Sequence, residues 1–541
     1  MSEKQLSKTY PQKWAQLSVL FGVCFVLFFV NLGQWDLWNP DEPRYAQVSK
    51  EMVNRGDWIL MHLNGKVYAE KPPLFFWAVA VSSFLMNGFN SFSARLPSAL
   101  FGTLTVLLTF FLGKKLYCSR TGFLSGLVLA TSVEFAYLTT RANIDATLTF
   151  FTTASLLCFV TWYYDRKWVP LYGFYVAMAL ATLTKGPVGF LLPLLVGLVY
   201  LAVERDWQGI RKMRLVSGLL LLVVIVLCWY LPAVLRGGRS YLNYTLFHQT
   251  IDRYAEGWSH VRPFYYYFLN FPVDFLPWMV FLPAAFVSLY RKRQGEKRRE
   301  FLLLMVWFVV IFLFFSLSKG KRELYLLPLY PAASLMVGKV WCDFITTPME
   351  HFKQEWITAP LHGLMAFALL GGLAIPLVLW IKLPSYLAYG VPVALMFVVG
   401  AIALFFICRQ RRYGVVFFLL VAIVTSGFFY VFRVVFPLVN PYKSARYLSQ
   451  EIVLQMKPGD KLAFYGDFNG APYHFYTGIV PVPVLQKRED LYQFLRSSER
   501  VFCLLRYKEF VKFLIDPGRP PVNLIARRAV GGNDMALITN Q

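Results

Sequence analysis

The stretch Trp35–Trp77, WDLWNPDEPRYAQVSKEMVNRGDWILMHLNGKVYAEKPPLFFW, sets Asp41 and Glu42 side by side, adds Arg44, and ends on Glu70 and Lys71 before Pro72-Pro73. Strongly apolar segments flank it, and ionisable groups held so close to lipid are kept for pairing or for chemistry. Asn39-Pro40 favours a turn. A helix starting at Asp41 puts Asp41, Arg44 and Tyr45 on one face and turns Glu42 about 100° away. An acid that begins a helix and pairs with Arg44 is the structural alternative to a catalytic carboxylate.

Outward from this stretch, 57% of the 541 residues are hydrophobic and only 16% are charged. That composition excludes a soluble chain. Its many apolar runs of roughly 17–25 residues predict a polytopic helical membrane protein. The runs consist of Leu, Val, Phe and Ala with few polar groups, which argues against a proton-relay transporter and a lipid-linked sugar flippase or exporter. Most of the formal charge of +24 sits in short loops, where it sets topology. Membrane lipids are therefore the expected surroundings, and no nucleic-acid partner is expected. The seven cysteines form no CxxC pair, so neither a disulfide framework nor a zinc cluster follows.

A basic start and an apolar run up to Val30, followed by bulky Asn31–Trp38, read as an uncleaved first span with a cytoplasmic N-terminus. Spans are predicted at about 14–30, 97–112, 121–138, 146–163, 169–183, 187–203, 215–235, 266–289, 301–317, 324–341, 359–382, 389–408 and 413–434. The run 73–86 is short, aromatic and opens on Pro-Pro. Treating it as an interfacial or dipping helix keeps Lys114, Lys115 and Arg120 on the cytoplasmic side. The division that follows is a transmembrane domain over 1–434, with a first outer loop at 32–96, and a small outer α/β domain over 435–541. In the tail, β-like runs at 461–465, 480–485, 501–505 and 535–539 alternate with helical patterns at 489–496 and 507–515.

Two outer loops oppose the charge rule. One carries Arg236, Arg239, Arg253 and Arg262; the other reads SKGKRE, with Lys319, Lys321 and Arg322 just before Tyr325. An anionic ligand such as a phosphate ester explains such clusters. Asp145, in TTRANIDATLTFF, is a second candidate acid, with a helix N-terminus as its structural alternative. Lys71 and Lys185, the latter in LTKGP, read either as anchors at span ends or as anion ligands. His248, with Arg253 nearby, reads as a solvated loop histidine or, paired with Glu42 or Glu70, as part of a metal site.

In order along the chain, DEPRYA, NGKVYAEKPPLFFW, RANIDATLTFF, LTKGPVGFLLP and SKGKRELYLLPLYPA resemble the GT-C polyprenyl-phosphate-sugar glycosyltransferases. The closest similarity is to the lipid A aminoarabinose transferases, relatives of the protein O-mannosyltransferases. The resemblance implies the GT-C fold and inverting transfer of a sugar from undecaprenyl phosphate to an acceptor at the periplasmic face of the bacterial inner membrane. The acceptor is lipid A or another periplasmic molecule, and the protein is expected to act as a monomer. By the same resemblance Asp41 and Asp145 are the active-site acids. Arg44, Lys71, Lys185, Lys321, Tyr325 and Arg253 hold the donor phosphate and its carrier, and Glu42 and Tyr45 contact sugar or acceptor. Glu70 and His248 would lie near a divalent metal such as zinc. Gln249 and Thr250 depart from the Glu and His of the aminoarabinose enzymes and leave that metal open.

Overall fold

In lipid every backbone N–H and C=O must be bonded within its own segment, so long apolar runs fold as helices. The computed structural model describes residues 3–246, 260–291, 298–346 and 354–541, with side chains from 13 onward except at 289–291. Among the described residues seven helices are long and apolar enough to cross a membrane: Ser91–Leu116, Ile144–Asp165, Leu215–Leu246, Arg298–Leu317, Glu355–Lys382, Pro384–Arg409 and Tyr413–Lys443. Two further predicted spans are bent pairs, Ser119–Ala130 with Val133–Thr139 at 71° and Tyr266–Asp274 with Trp278–Ser288 at 108°. The remaining predicted spans lie in shorter or less apolar helices: Lys13–Phe29, Trp168–Lys185, Val188–Val203 and Tyr330–Thr346. Helix Leu74–Leu85 has 12 residues. At about 1.5 Å per residue it is too short to span.

Contact between residues divides the chain into two compact units: 1–32, 70–75 and 96–432 form the first, and 33–69, 76–95 and 433–541 the second. The first outer loop, assigned from sequence to the transmembrane domain, thus mostly joins the C-terminal unit. Its hydrogen bonds give the reason. Asn440 Oδ1 accepts from the Asp36 N–H (3.1 Å) and the Trp38 indole (2.9 Å), and Asn64 exchanges two bonds with the Val482 backbone (2.7 and 2.8 Å).

Small residues let helices of the first unit approach closely. A methyl at Gly122 would collide with the Phe110 carbonyl, and one at Gly338 with the Ser125 hydroxyl. Gly122→Ala is therefore expected to lower the midpoint of thermal unfolding in detergent, through an overpacking cost of about 1–3 kcal/mol. Gly363→Ala, where nothing lies within 4 Å of the added methyl, should leave it unchanged. The two bends clasp each other. Pro277 supplies no N–H, the Val133 N–H donates to the Leu276 carbonyl (3.1 Å), and the Trp278 indole donates to the Thr131 hydroxyl (2.9 Å).

The second unit is built on a five-stranded sheet from β3 (Lys461–Tyr465), β4 (Val484–Leu485), β5 (Val501–Arg506), β6 (Asn523–Val530) and β7 (Asn533–Thr539), in the order β4-β3-β5-β7-β6. β3 runs parallel to β4 and β5, whereas β7 is antiparallel to β5 and β6. Val501–Leu505 is buried throughout because helices cover both faces: Arg446–Gln455 and Ala471–Thr477 on one, Arg488–Leu495 and Tyr507–Ile515 on the other. A small antiparallel hairpin, β1 (His62–Leu63) with β2 (Lys66–Val67), turns at Asn64-Gly65, both at positive φ; Glu51 accepts from both of their N–H groups.

His474 is buried under this sheet, its ring against Phe464 and its Nδ1 3.2 Å from the Ile479 carbonyl, and burial pushes its pKa below the ordinary 6.5. The unfolded chain therefore takes up this proton first. Its contribution to stability is full above about pH 6.5 and falls as the pH drops toward the lower folded value. Protection of β3 amides against hydrogen exchange, corrected for the pH dependence of intrinsic exchange, is expected to fall as the pH drops below about 6.5 in the wild type, with a weaker pH dependence in His474→Phe.

Candidate active site

In the first unit, Asn143 begins helix Ile144–Asp165. Its side chain accepts from the Asp145 N–H (2.6 Å), and its own backbone N–H donates to Ser98 Oγ (3.0 Å) while Ser98 Oγ donates to its carbonyl (3.2 Å). The first turn is fixed, and Asp145 projects from it to an ion pair with Lys185. Only 6% of the Asp145 side chain and 11% of the Lys185 side chain are exposed, so the pair is shielded from screening by water. Lys185 closes helix Trp168–Lys185 at Gly186, whose φ of 78° suits glycine, and its ammonium stands 4.2 Å from the centre of the Tyr325 ring. Three residues predicted from separate motifs therefore meet: Asp145, Lys185 and Tyr325.

The basic loop before Tyr325 is ordered by pairing with residues 260–262. The Lys321 N–H donates to the His260 carbonyl (3.0 Å), the Arg262 N–H to the Lys319 carbonyl (3.3 Å), and Val261 bridges Gly320. Lys321 is 3% exposed, and its ammonium donates to the carbonyls of Arg262 (3.1 Å) and Ser318. Burial pushes its pKa below the ordinary lysine value. This lysine staples the loop, and a phosphate contact is left to the remaining proton of its ammonium. Glu70 and Lys71 also belong to the first unit and are half-buried. His248 and Arg253 lie outside the described residues. Among the described residues no group of three or more His, Cys, Asp or Glu is placed to hold a metal ion.

In the second unit, helix Glu42–Arg55 follows Asp41, whose carboxylate accepts from Arg44 Nη2 at 2.7 Å with 12% of its side chain exposed. Its neighbour has a different task. Glu42 is 1% exposed and pairs in bidentate fashion with Arg95, which is fully buried (2.7 and 3.0 Å), while accepting from the Trp38 N–H (2.9 Å). Arg95 also donates to the carbonyls of Trp35 (2.8 Å) and Asp36 (2.7 Å) and covers the Trp35 ring. Tyr45 is 5% exposed with its ring against Phe76. Glu42 and Tyr45, assigned to sugar or acceptor from the sequence, are both buried, Glu42 against Arg95 and Tyr45 against Phe76: turning Glu42 off the Asp41 face points it at the guanidinium. Arg95 was not singled out in the sequence. The signal available was a lone arginine at the mouth of an apolar span.

The family described as "Dolichyl-phosphate-mannose-protein mannosyltransferase" matches residues 16–235. The undecaprenyl phosphate-alpha-4-amino-4-deoxy-L-arabinose arabinosyl transferase of Aeromonas salmonicida is 31% identical over 393 residues, covering 70% of this chain and 68% of that protein. The chain belongs to this arabinosyl transferase family. The namesake of Pseudomonas aeruginosa is 33% identical over 336 residues, 60% of this chain and 59% of that protein, and the chain spans about 60% of the length of the curated relatives it matches first. A crystal structure of ArnT from Cupriavidus metallidurans bound to undecaprenyl phosphate superposes with a TM-score of 0.82 at 23% identity, covering 97% of this chain and 98% of that one. The arabinosyl transferase family member described here thus has the membrane-spanning GT-C fold expected from its motifs.

Proposed function

We propose that the protein transfers 4-amino-4-deoxy-L-arabinose from undecaprenyl phosphate to a phosphate of lipid A, with inversion, at the periplasmic face of the bacterial inner membrane. The observation that carries this reading is the shielded Asp145–Lys185 pair beside Tyr325, in a chain of this family. In the reaction the bond from the sugar C1 to the carrier phosphate breaks and a bond from C1 to an acceptor oxygen forms. The leaving group is a lipid phosphate, already a good anion, so the protein must supply a cation to the departing phosphate and a carboxylate near the positive charge growing on the sugar. Lys185 and Asp145 provide both. An incoming phosphate competes with Asp145 for the ammonium, which lets the carboxylate face the sugar.

Asp41 is the second carboxylate we assign to the reaction, with Arg44 and Lys71 on the donor phosphate. A lipid A phosphate oxygen is already anionic, so with that acceptor Asp41 orients more than it deprotonates. A hydroxyl acceptor would need it as a base. The match over 16–235 to mannosyltransferases acting on protein favours, as a second reading, a neutral hexose moved to a protein hydroxyl. Incubating the purified protein with undecaprenyl-phosphate-aminoarabinose and lipid A, and weighing the lipid A by mass spectrometry, decides between them. One aminoarabinose added per lipid A phosphate is expected. No transfer by a well-folded protein, where a characterised relative is active, would refute the reading.

A further inference from the structure

In the first unit, helix Ser91–Leu116 lies directly against the segment that carries Asp145. A methyl at Gly102 would collide with the Thr139 side chain, so backbone and threonine touch there. The Phe101 ring lies 5.2 Å from that of Phe150 and 5.6 Å from that of Phe151, centre to centre. A third contact is polar. Ser98, 0% exposed, meets the backbone of Asn143 twice: its Oγ accepts from the Asn143 N–H (3.0 Å) and donates to the Asn143 carbonyl (3.2 Å). The N–H of a residue that begins a helix has no acceptor inside that helix, so the hydroxyl supplies what a buried N–H needs. From Asn143 the restraint passes to the acid. The Asn143 carboxamide accepts from the Asp145 N–H (2.6 Å), Thr149 Oγ1 donates to the Asp145 carbonyl (2.7 Å), and the Asp145 carboxylate stands against Lys185.

We propose that Ser98 is a positioning residue for sugar transfer: bonded to the backbone of Asn143 at both its N–H and its carbonyl, it sets where the Asp145 carboxylate stands against the Lys185 ammonium. The role rests on the function proposed above and comes from outside the motifs that carry Asp145, Lys185 and Tyr325. Ser98 is closed off from solvent and acts only through its neighbour. What it controls is the first turn of helix Ile144–Asp165, of which Asp145 is the second residue. A carboxylate stabilises the charge growing on the sugar only from a fixed position, and a displacement of about 1 Å costs on the order of a hundredfold in rate. Ser98→Ala removes the two hydrogen bonds and leaves the contacts of Phe101 and Gly102 in place. The helix stays packed while its first turn is released.

Two mutant cycles on the purified protein test this. The first needs no substrate. Midpoints of thermal unfolding are measured for the wild type, Asp145→Asn, Lys185→Met and Asp145→Asn/Lys185→Met, and their departure from additivity reports the coupling of carboxylate to ammonium. The same four in a Ser98→Ala background should show that departure cut by about half or more, whereas a merely structural serine would lower all four midpoints alike. The second cycle follows transfer of aminoarabinose from undecaprenyl phosphate to lipid A, per folded molecule. Ser98→Ala is expected to lower kcat about tenfold to a hundredfold and to keep the donor KM within about threefold, since Lys185 still faces the phosphate. In Asp145→Asn the same substitution should cost less than about twofold, because the carboxylate it positions is gone. An unchanged coupling in the first cycle, a wild-type kcat for Ser98→Ala, or an equal loss of kcat in both backgrounds overturns the proposal. Where Ser98→Ala does not fold, Asn143→Ala, which breaks the next link, takes its place in both cycles. A well-folded protein that moves no sugar to lipid A refutes the function proposed above, and the unfolding cycle then decides the role of Ser98 by itself.

Discussion

Asp145→Asn protein is expected to fold and to transfer sugar about a thousandfold more slowly than the wild type, because a preorganised charge at a shielded site contributes several kcal/mol to the transition state. The control is needed because Asp145 is also half of a buried ion pair. Removing one partner of such a pair strands the other charge and costs about 3–5 kcal/mol, which alone could lower the yield of folded enzyme. Asp145→Asn/Lys185→Met removes both charges. Its unfolding midpoint should return toward the wild-type value while its transfer rate stays low. Lys185→Met alone should also raise the KM for the donor lipid, since the lost cation faces the phosphate. Rates per folded molecule, taken from the transfer assay and the unfolding curve together, separate the two effects. Recovery of transfer in the double variant would show that the pair is only structural.

The second large contrast lies between adjacent residues. Asp41→Asn is expected to slow transfer by about a hundredfold to ten-thousandfold, in the range of lost acid–base or orienting groups, and to shift stability by less than about 1 kcal/mol, since its pair with Arg44 is partly solvated. Glu42→Gln should do the reverse. With the Arg95 guanidinium left buried against a neutral amide, the second unit loses about 3–5 kcal/mol, and transfer per folded molecule is largely retained. Glu42→Leu/Arg95→Met should recover much of that stability, apart from the carbonyls of Trp35 and Asp36 that Arg95 satisfied. Wild-type transfer by Asp41→Asn would remove Asp41 from the reaction.

Hydropathy located most of the long apolar helices correctly because it acts locally, one segment at a time. The strands at 461–465 and 501–505 were legible for the same reason: VFCLL is a run that only a sheet covered on both faces can bury. β6 was missed because NLIARRAV is an exposed edge whose charges hide its alternation. The site was partly legible. Asp145, Lys185 and Tyr325 each stood in a recognisable motif, and folding brought them together. The burial of Glu42 was not legible, because a carboxylate beside Asp41 reads the same whether it faces solvent or a buried arginine 53 residues away.

The shared hydrogen-bond acceptor at Asn440 imposes a timetable on biogenesis. Asp36 and Trp38 lie 404 and 402 residues upstream of it. At about 5–20 residues per second of translation, they leave the ribosome roughly 20–80 s before their partner exists. During that interval the segment that ends in Arg95 cannot complete its unit, however many spans have already inserted. Any chain that stops before Asn440 leaves the Asp36 N–H and the Trp38 indole without that acceptor. Quality-control proteases would thus have one early segment by which to recognise an unfinished molecule.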